Sequence, residues 1–161
     1  PLSLHTDYEI SPFIEAAVNN TPPKFRFEEA GTWAQGPIGF SVSRTTKVGT
    51  PLTLPLWTED DGKITTNSGA LPRTLPAPVI ARWSKYRGAG DVKFADERPV
   101  FAASTGGTPG APFAGKSATT ATFSEPGEYT LHLMLNDYSG DGGQGFQCCW
   151  STGQVRVTVA K

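Results

Sequence analysis

The sequence predicts an all-β protein made of two antiparallel sheets packed face to face. Ala121 and Phe123 alternate with polar neighbours as far as a turn at Pro126-Gly127, and Tyr129, Leu131, Leu133 and Leu135 then share one face at period two. The closing segment repeats the pattern with Val155, Val157 and Val159. Glycine (18) and proline (14) are frequent among the 161 residues, so corners are abundant, and neither a long helical pattern nor an internal repeat interrupts the short extended segments.

Residues 1–23 read differently from the rest. Ser11 caps and Pro12 opens a short helical pattern over residues 11–18, which Asn19-Asn20-Thr21-Pro22-Pro23 breaks. This stretch predicts an arm or linker ahead of one domain over residues 24–161. Asn19-Asn20-Thr21 also fits an N-glycosylation pattern. Beyond it, Phe25 and Phe27 alternate with charged residues, residues 38–46 follow, and Leu52, Leu54 and Leu56 alternate before Trp57. Residues 58–76 read as a polar insertion around Asp60-Asp61-Gly62. Val79, Ala81 and Trp83 alternate next, then Gly88-Ala89-Gly90 breaks the run before a short strand near Val92 and Phe94. Residues 98–102 predict a weaker strand and residues 105–115 a glycine- and proline-rich loop. Seven or more short strands separated by turn signals make a two-sheet sandwich.

Composition narrows the function classes. Charged residues make up 18% and the formal net charge is −1, with the basic residues dispersed, which argues against a nucleic-acid binder. No apolar run approaches the roughly 18–20 residues of a membrane span. Pro1-Leu2-Ser3-Leu4-His5 reads as a mature start rather than a signal peptide. The two cysteines, Cys148 and Cys149, are adjacent, which excludes a framework of long-range disulfides. Low charge and richness in Thr, Gly and Pro on an all-β pattern predict a secreted, cell-surface or periplasmic protein.

Trp83 on a central strand, the run Ala121-Thr-Phe-Ser-Glu-Pro-Gly-Glu-Tyr129, Asn136-Asp137 at a strand end and the closing Val-x-Val-x-Val together resemble immunoglobulin-like modules of the polycystic-kidney-disease (PKD) type. The resemblance spans residues 24–161 and implies an immunoglobulin-like sandwich of a prokaryotic surface protein. It implies that Tyr129 is a corner tyrosine whose hydroxyl ties a turn to nearby backbone, and that Trp83 fills the middle of the core. One departure stands out. Where the family carries Asp-x-Gly-Asp-Gly after the central aromatic, this chain has Ser84-Lys85-Tyr86-Arg87-Gly88-Ala89-Gly90.

Several constellations are candidates for chemistry. Glu59, Asp60 and Asp61 follow one strand and Asp137 and Asp141 another, and in a sandwich of this kind both loops emerge at one pole. Gathered carboxylates repel, and calcium, which takes 6–8 oxygen ligands, suits such a set; solvated turn residues are the other reading. A bond between Cys148 and Cys149 would close a strained eight-membered ring beside Trp150, since neighbouring Cα atoms sit about 3.8 Å apart. Two separate thiols are the alternative. Trp57, Tyr138 and Trp150 near that pole are candidates for stacking on a sugar ring. His132 alternates onto the open face beside Thr130 and Met134, and no nucleophile, base and orienter are recognisable. The sequence therefore predicts a non-enzymatic spacer, adhesion or assembly module that contacts protein partners or copies of itself through residues 1–23 and its edge strands. A carbohydrate-binding module, or an accessory domain of a secreted enzyme, is the alternative.

Overall fold

The computed structural model of the chain describes residues 20–37, 39–63, 77–106, 110–137 and 149–161. The strands are β1 (Lys24–Arg26), β2 (Ala34–Gln35), β3 (Phe40–Lys47), β4 (Leu52–Asp60), β5 (Ile80–Arg87), β6 (Val92–Phe94), β7 (Ala102–Thr105), β8 (Phe113–Phe123), β9 (Gly127–Asn136) and β10 (Trp150–Ala160). They form two sheets. One runs β2-β1-β4-β8-β6, with β7 also on β8, and the other runs β3-β10-β9-β5. The protein is thus an all-β, immunoglobulin-like two-sheet sandwich.

Period-two burial builds it. Tyr129, Leu131, Leu133 and Leu135 of β9 and Val155, Val157 and Val159 of β10 point inward from one sheet. Leu54 and Leu56 of β4, with Phe113, Ala121 and Phe123 of β8, face them from the other. Trp83 fills the layer between, 1% exposed, with its ring 6.0 Å from that of Phe27.

The sequence predicts two antiparallel sheets; the larger is antiparallel throughout, and the other is mixed. β3 runs parallel to β10, from Phe40 beside Gly153 to Lys47 beside Ala160. After β3 the chain turns, with Thr50 N donating to Lys47 O at 3.1 Å, and crosses to the opposite sheet as β4. Parallel neighbours need a long crossover, and here nearly the whole domain supplies it. Smaller differences are local. The weak strand expected over residues 98–102 begins at Ala102 instead, and β8 starts at Phe113, inside the stretch that reads as loop. β4 continues through Asp60, into what reads as an insertion. The helical pattern at residues 11–18 lies outside the described residues. No helix among the described residues is long and apolar enough to cross a membrane.

The β8–β9 corner is tied as the tyrosine motif implies. The Tyr129 hydroxyl donates to Glu125 O at 2.8 Å and accepts from Gly90 N at 3.0 Å, so one side chain holds two loops. Gly88 lies against the same ring. Its φ is +140°, and an added Cβ would sit 2.0 Å from Tyr129 Cδ1, so only glycine fits. Replacing Tyr129 by phenylalanine leaves the buried Gly90 N–H without its acceptor. The expected cost is about 1–3 kcal/mol in equilibrium urea unfolding, with the fold retained.

Candidate functional site

The same alternation that builds the core carries two carboxylates into its end. On β4 the inward series Leu54, Leu56, Thr58 continues to Asp60, and beyond β9 the series Leu131, Leu133, Leu135 continues to Asp137. Asp60 is 7% exposed and Asp137 is 0% exposed. Glu59, which has the opposite parity on β4, points outward and is exposed, opposite Lys24 of β1.

Turn geometry completes this pole. Asp60 Oδ2 accepts from Gly62 N at 2.8 Å, and Gly62 has φ +73°, which lets the chain double back. Asp60 Oδ1 is buried and has no hydrogen-bond partner among the described residues. Burial pushes the Asp60 carboxyl up to about 7 from its ordinary 3.8; the Gly62 N–H opposes that rise, while the charges of Asp137 and Asp61 add to it. Asp61 is half-buried. It accepts from Thr21 N (3.1 Å), Thr21 Oγ1 (2.9 Å) and Lys63 N (2.9 Å).

The entering chain closes the pole from the other side. Asn20 is buried, and its Nδ2 donates to Asp137 Oδ2 at 2.8 Å. The hydroxyl of Ser151, next inward on β10, donates to Pro23 O and accepts from Gly36 N. Gln35 Nε2 donates to Pro22 O at 2.7 Å. Residues 20–23, which the sequence assigns to the arm, are therefore part of the domain's end. Asn20 is the site residue that sequence reasoning missed, because it sits in a run read as linker and glycosylation pattern. A hollow of about 170 Å³ opens beside Asp60, lined also by Thr21, Lys24, Gln35, Glu59 and Asp61.

Of the five carboxylates expected to gather, Asp60, Asp61 and Asp137 interact, Glu59 faces away from the buried pair, and Asp141 lies outside the described residues. No three His, Cys, Asp or Glu side chains are placed to hold a metal ion among the described residues. Cys149 stands directly above the pole: its carbonyl accepts from Asp137 N at 3.3 Å. It is 2% exposed, takes φ +80° and carries no free thiol. Cys148 lies outside the described residues.

The aromatic platform expected from Trp57, Tyr138 and Trp150 does not form from the two tryptophans. Trp57 alternates with the inward Leu54 and Leu56 onto the outer face of its sheet, whereas Trp150 alternates with the inward Ser151 onto the outer face of the opposite sheet. Tyr138 lies outside the described residues. His132 occupies the outer face of β9 as expected, half-buried, with its ring 6.4 Å from that of Tyr86. Burial lowers its pKa below the ordinary 6.5.

No protein-family model matches the chain, and no curated protein matches it. Solved structures with similar folds include a PapD-like (ASH) domain of human CEP192, at 14% identity and TM-score 0.41, covering 100% of this chain and 95% of that one. The N-terminal domain of PorA is similar at 13% identity and TM-score 0.42, covering 84% and 96%. PbICP-C, solved in complex with falcipain-2, is similar at 14% identity and TM-score 0.38, covering 80% and 95%.

Proposed function

We propose that this chain is a non-catalytic structural and interaction module of the PKD type, exported from a prokaryotic cell, whose buried aspartate pole clasps the chain entering the domain. The observation that carries this reading is Asp60. A carboxylate 7% exposed, with one oxygen lacking a partner among the described residues and two further aspartates acting on it, is costly unless a cation or proton joins it. The surrounding side chains work as structural ties: Thr21, Asn20 and Ser151 each fasten the entering strand to the sandwich. Such a joint suits a spacer or assembly unit, which must hold a fixed angle to whatever precedes it. Partners are taken up through residues 1–19 and the edge strands, so deleting residues 1–19 abolishes concentration-dependent assembly in sedimentation velocity.

Calcium is the cation this reading assigns to the pole. Its ligands are hard oxygens, and Asp60, Asp61 and Asp137 with the Asn20 carboxamide would have to draw together from three separate stretches of chain to supply them, since no three carboxylates stand in ligating positions among the described residues. Cys149, joined to Cys148 in a vicinal ring, stiffens the loop whose carbonyl receives the Asp137 N–H; in that case intact mass after alkylation without reductant shows a monomer and no added label. The test of the clasp is thermal melting with calcium and with chelator. The melting temperature rises with calcium in the wild type and is unchanged in Asp60→Asn. Identical melting of the wild type in the two conditions would falsify the calcium clasp.

A further inference from the structure

A second feature lies on the outer face of the larger sheet, beside the aspartate pole, with Glu59 on the rim of both hollows. Three directly opposed residues form a row across three strands: Arg26 on β1, Trp57 on β4 and Lys116 on β8. The Lys116 ammonium sits 4.7 Å from the centre of the Trp57 ring, and the Arg26 guanidinium sits 4.4 Å from the centre of the Trp33 ring. Indole, guanidinium, indole and ammonium thus alternate along a line. The row borders a hollow of about 300 Å³, whose far rim is kept low by Ala114 and Gly115.

Neither Arg26 nor Lys116 forms an ion pair among the described residues, where the pairs are Arg44 with Glu28 and Lys63 with Asp61. Arg26 Nε is buried with no hydrogen-bond partner among the described residues. Glu59 and Glu29 also line the hollow, Glu59 one row away and directly opposite Lys24, and neither is ion-paired with Arg26 or Lys116 among the described residues. The row itself carries two positive charges around a central aromatic plane.

We propose that this face is a binding site for an acidic glycan, a polysaccharide whose sugar rings bear carboxylate or sulfate groups. A pyranose ring presents an apolar face of C–H bonds that rests on the Trp57 indole. Its anion lies beside the ring, where Arg26 offers its terminal guanidinium nitrogens and Lys116 a point charge. The exposed Lys116 side chain leaves the indole face as the sugar takes its place, so it exchanges a weak cation–π contact for a direct ion pair. A neutral sugar would stack without satisfying either cation, and an anion without a ring would leave the indole uncovered. Both features together select a charged sugar.

Affinity electrophoresis of the full chain through gels containing polygalacturonate, heparin or neutral dextran tests the proposal. Retardation by at least one acidic polymer and none by dextran is expected, weakening as salt rises. Retention by polygalacturonate alone assigns carboxylate recognition, and by heparin alone sulfate recognition. Trp57→Ala and the double variant Arg26→Gln, Lys116→Gln each weaken binding about tenfold or more. Trp150→Ala, on the opposite face, leaves it unchanged. Melting curves verify that each variant is folded. Absence of retardation in both acidic gels, equal retardation in dextran, or binding that survives both Trp57→Ala and the double charge variant overturns the proposal.

Discussion

Replacing Trp83 by alanine is expected to lower the free energy of unfolding by about 3–5 kcal/mol, which is a large share of the roughly 5–15 kcal/mol that holds a domain together. The side chain is 1% exposed and sits where the two inner faces meet. Phe27 lies 6.0 Å away between ring centres, and Phe25 and Phe40 pack against Phe27 at 5.4 Å and 6.2 Å. Truncation therefore opens a cavity beside Phe27, whose ring is held by Phe25 of β1 and Phe40 of β3 and collapses only in part. In a chain of this size the melting temperature falls by roughly 10 °C. Trp83→Phe costs less, because the indole N–H has no hydrogen-bond partner among the described residues and its loss orphans no acceptor. Equilibrium urea unfolding measures both. A Trp83→Ala protein within about 1 kcal/mol of the wild type would mean that the two inner layers do not meet around this ring.

The contrast between what was legible in the chain and what was not follows from the range of the interactions. Alternation is local, so β8, β9 and β10 and their inward residues were readable, and Tyr129 does hold the corner through Glu125 and Gly90. The same parity, carried two residues further, separates the buried Asp60 and Asp137 from the exposed Glu59, and it puts Trp57 and Trp150 on opposite outer faces. That signal was present in the sequence although clustering by loop obscured it. Other features had no local signature. Ala34–Gln35 is too short to show a period, and the parallel pairing of β3 with β10 depends on how the chain closes from end to end. Asn20 reaches Asp137 across 117 residues, and Arg26 meets Trp33 only because the chain between them turns back. Contacts of that kind belong to the folded molecule.

In the presence of chelator, stability is expected to fall as pH rises from about 4 to 7.5, and Asp60→Asn is expected to remove that fall. The sign follows from the Asp60 carboxyl, which is 3.8 in its ordinary state and about 7 in the fold. Between those values the folded state holds a proton that the unfolded chain has released, so unfolding becomes easier with each step in pH. The stabilising effect of the proton is complete below the unfolded value and lost above the folded one. At about 1.4 kcal/mol per unit, the whole window amounts to about 4 kcal/mol at most. The charged groups around it are Asp137 and Asp61, which oppose ionisation, with Lys63, Lys24 and Glu59 further out at the rim of the hollow. An asparagine keeps an oxygen for the Gly62 N–H and removes the titration. The variant is therefore close to the wild type near pH 4.5 and more stable than it at pH 8, by up to several kcal/mol. Calcium at pH 8 closes that gap from the wild-type side, since the ion replaces the proton as the neutralising charge. Urea unfolding of both proteins across this range decides the matter: a difference between them that stays constant with pH would place the titrating group elsewhere.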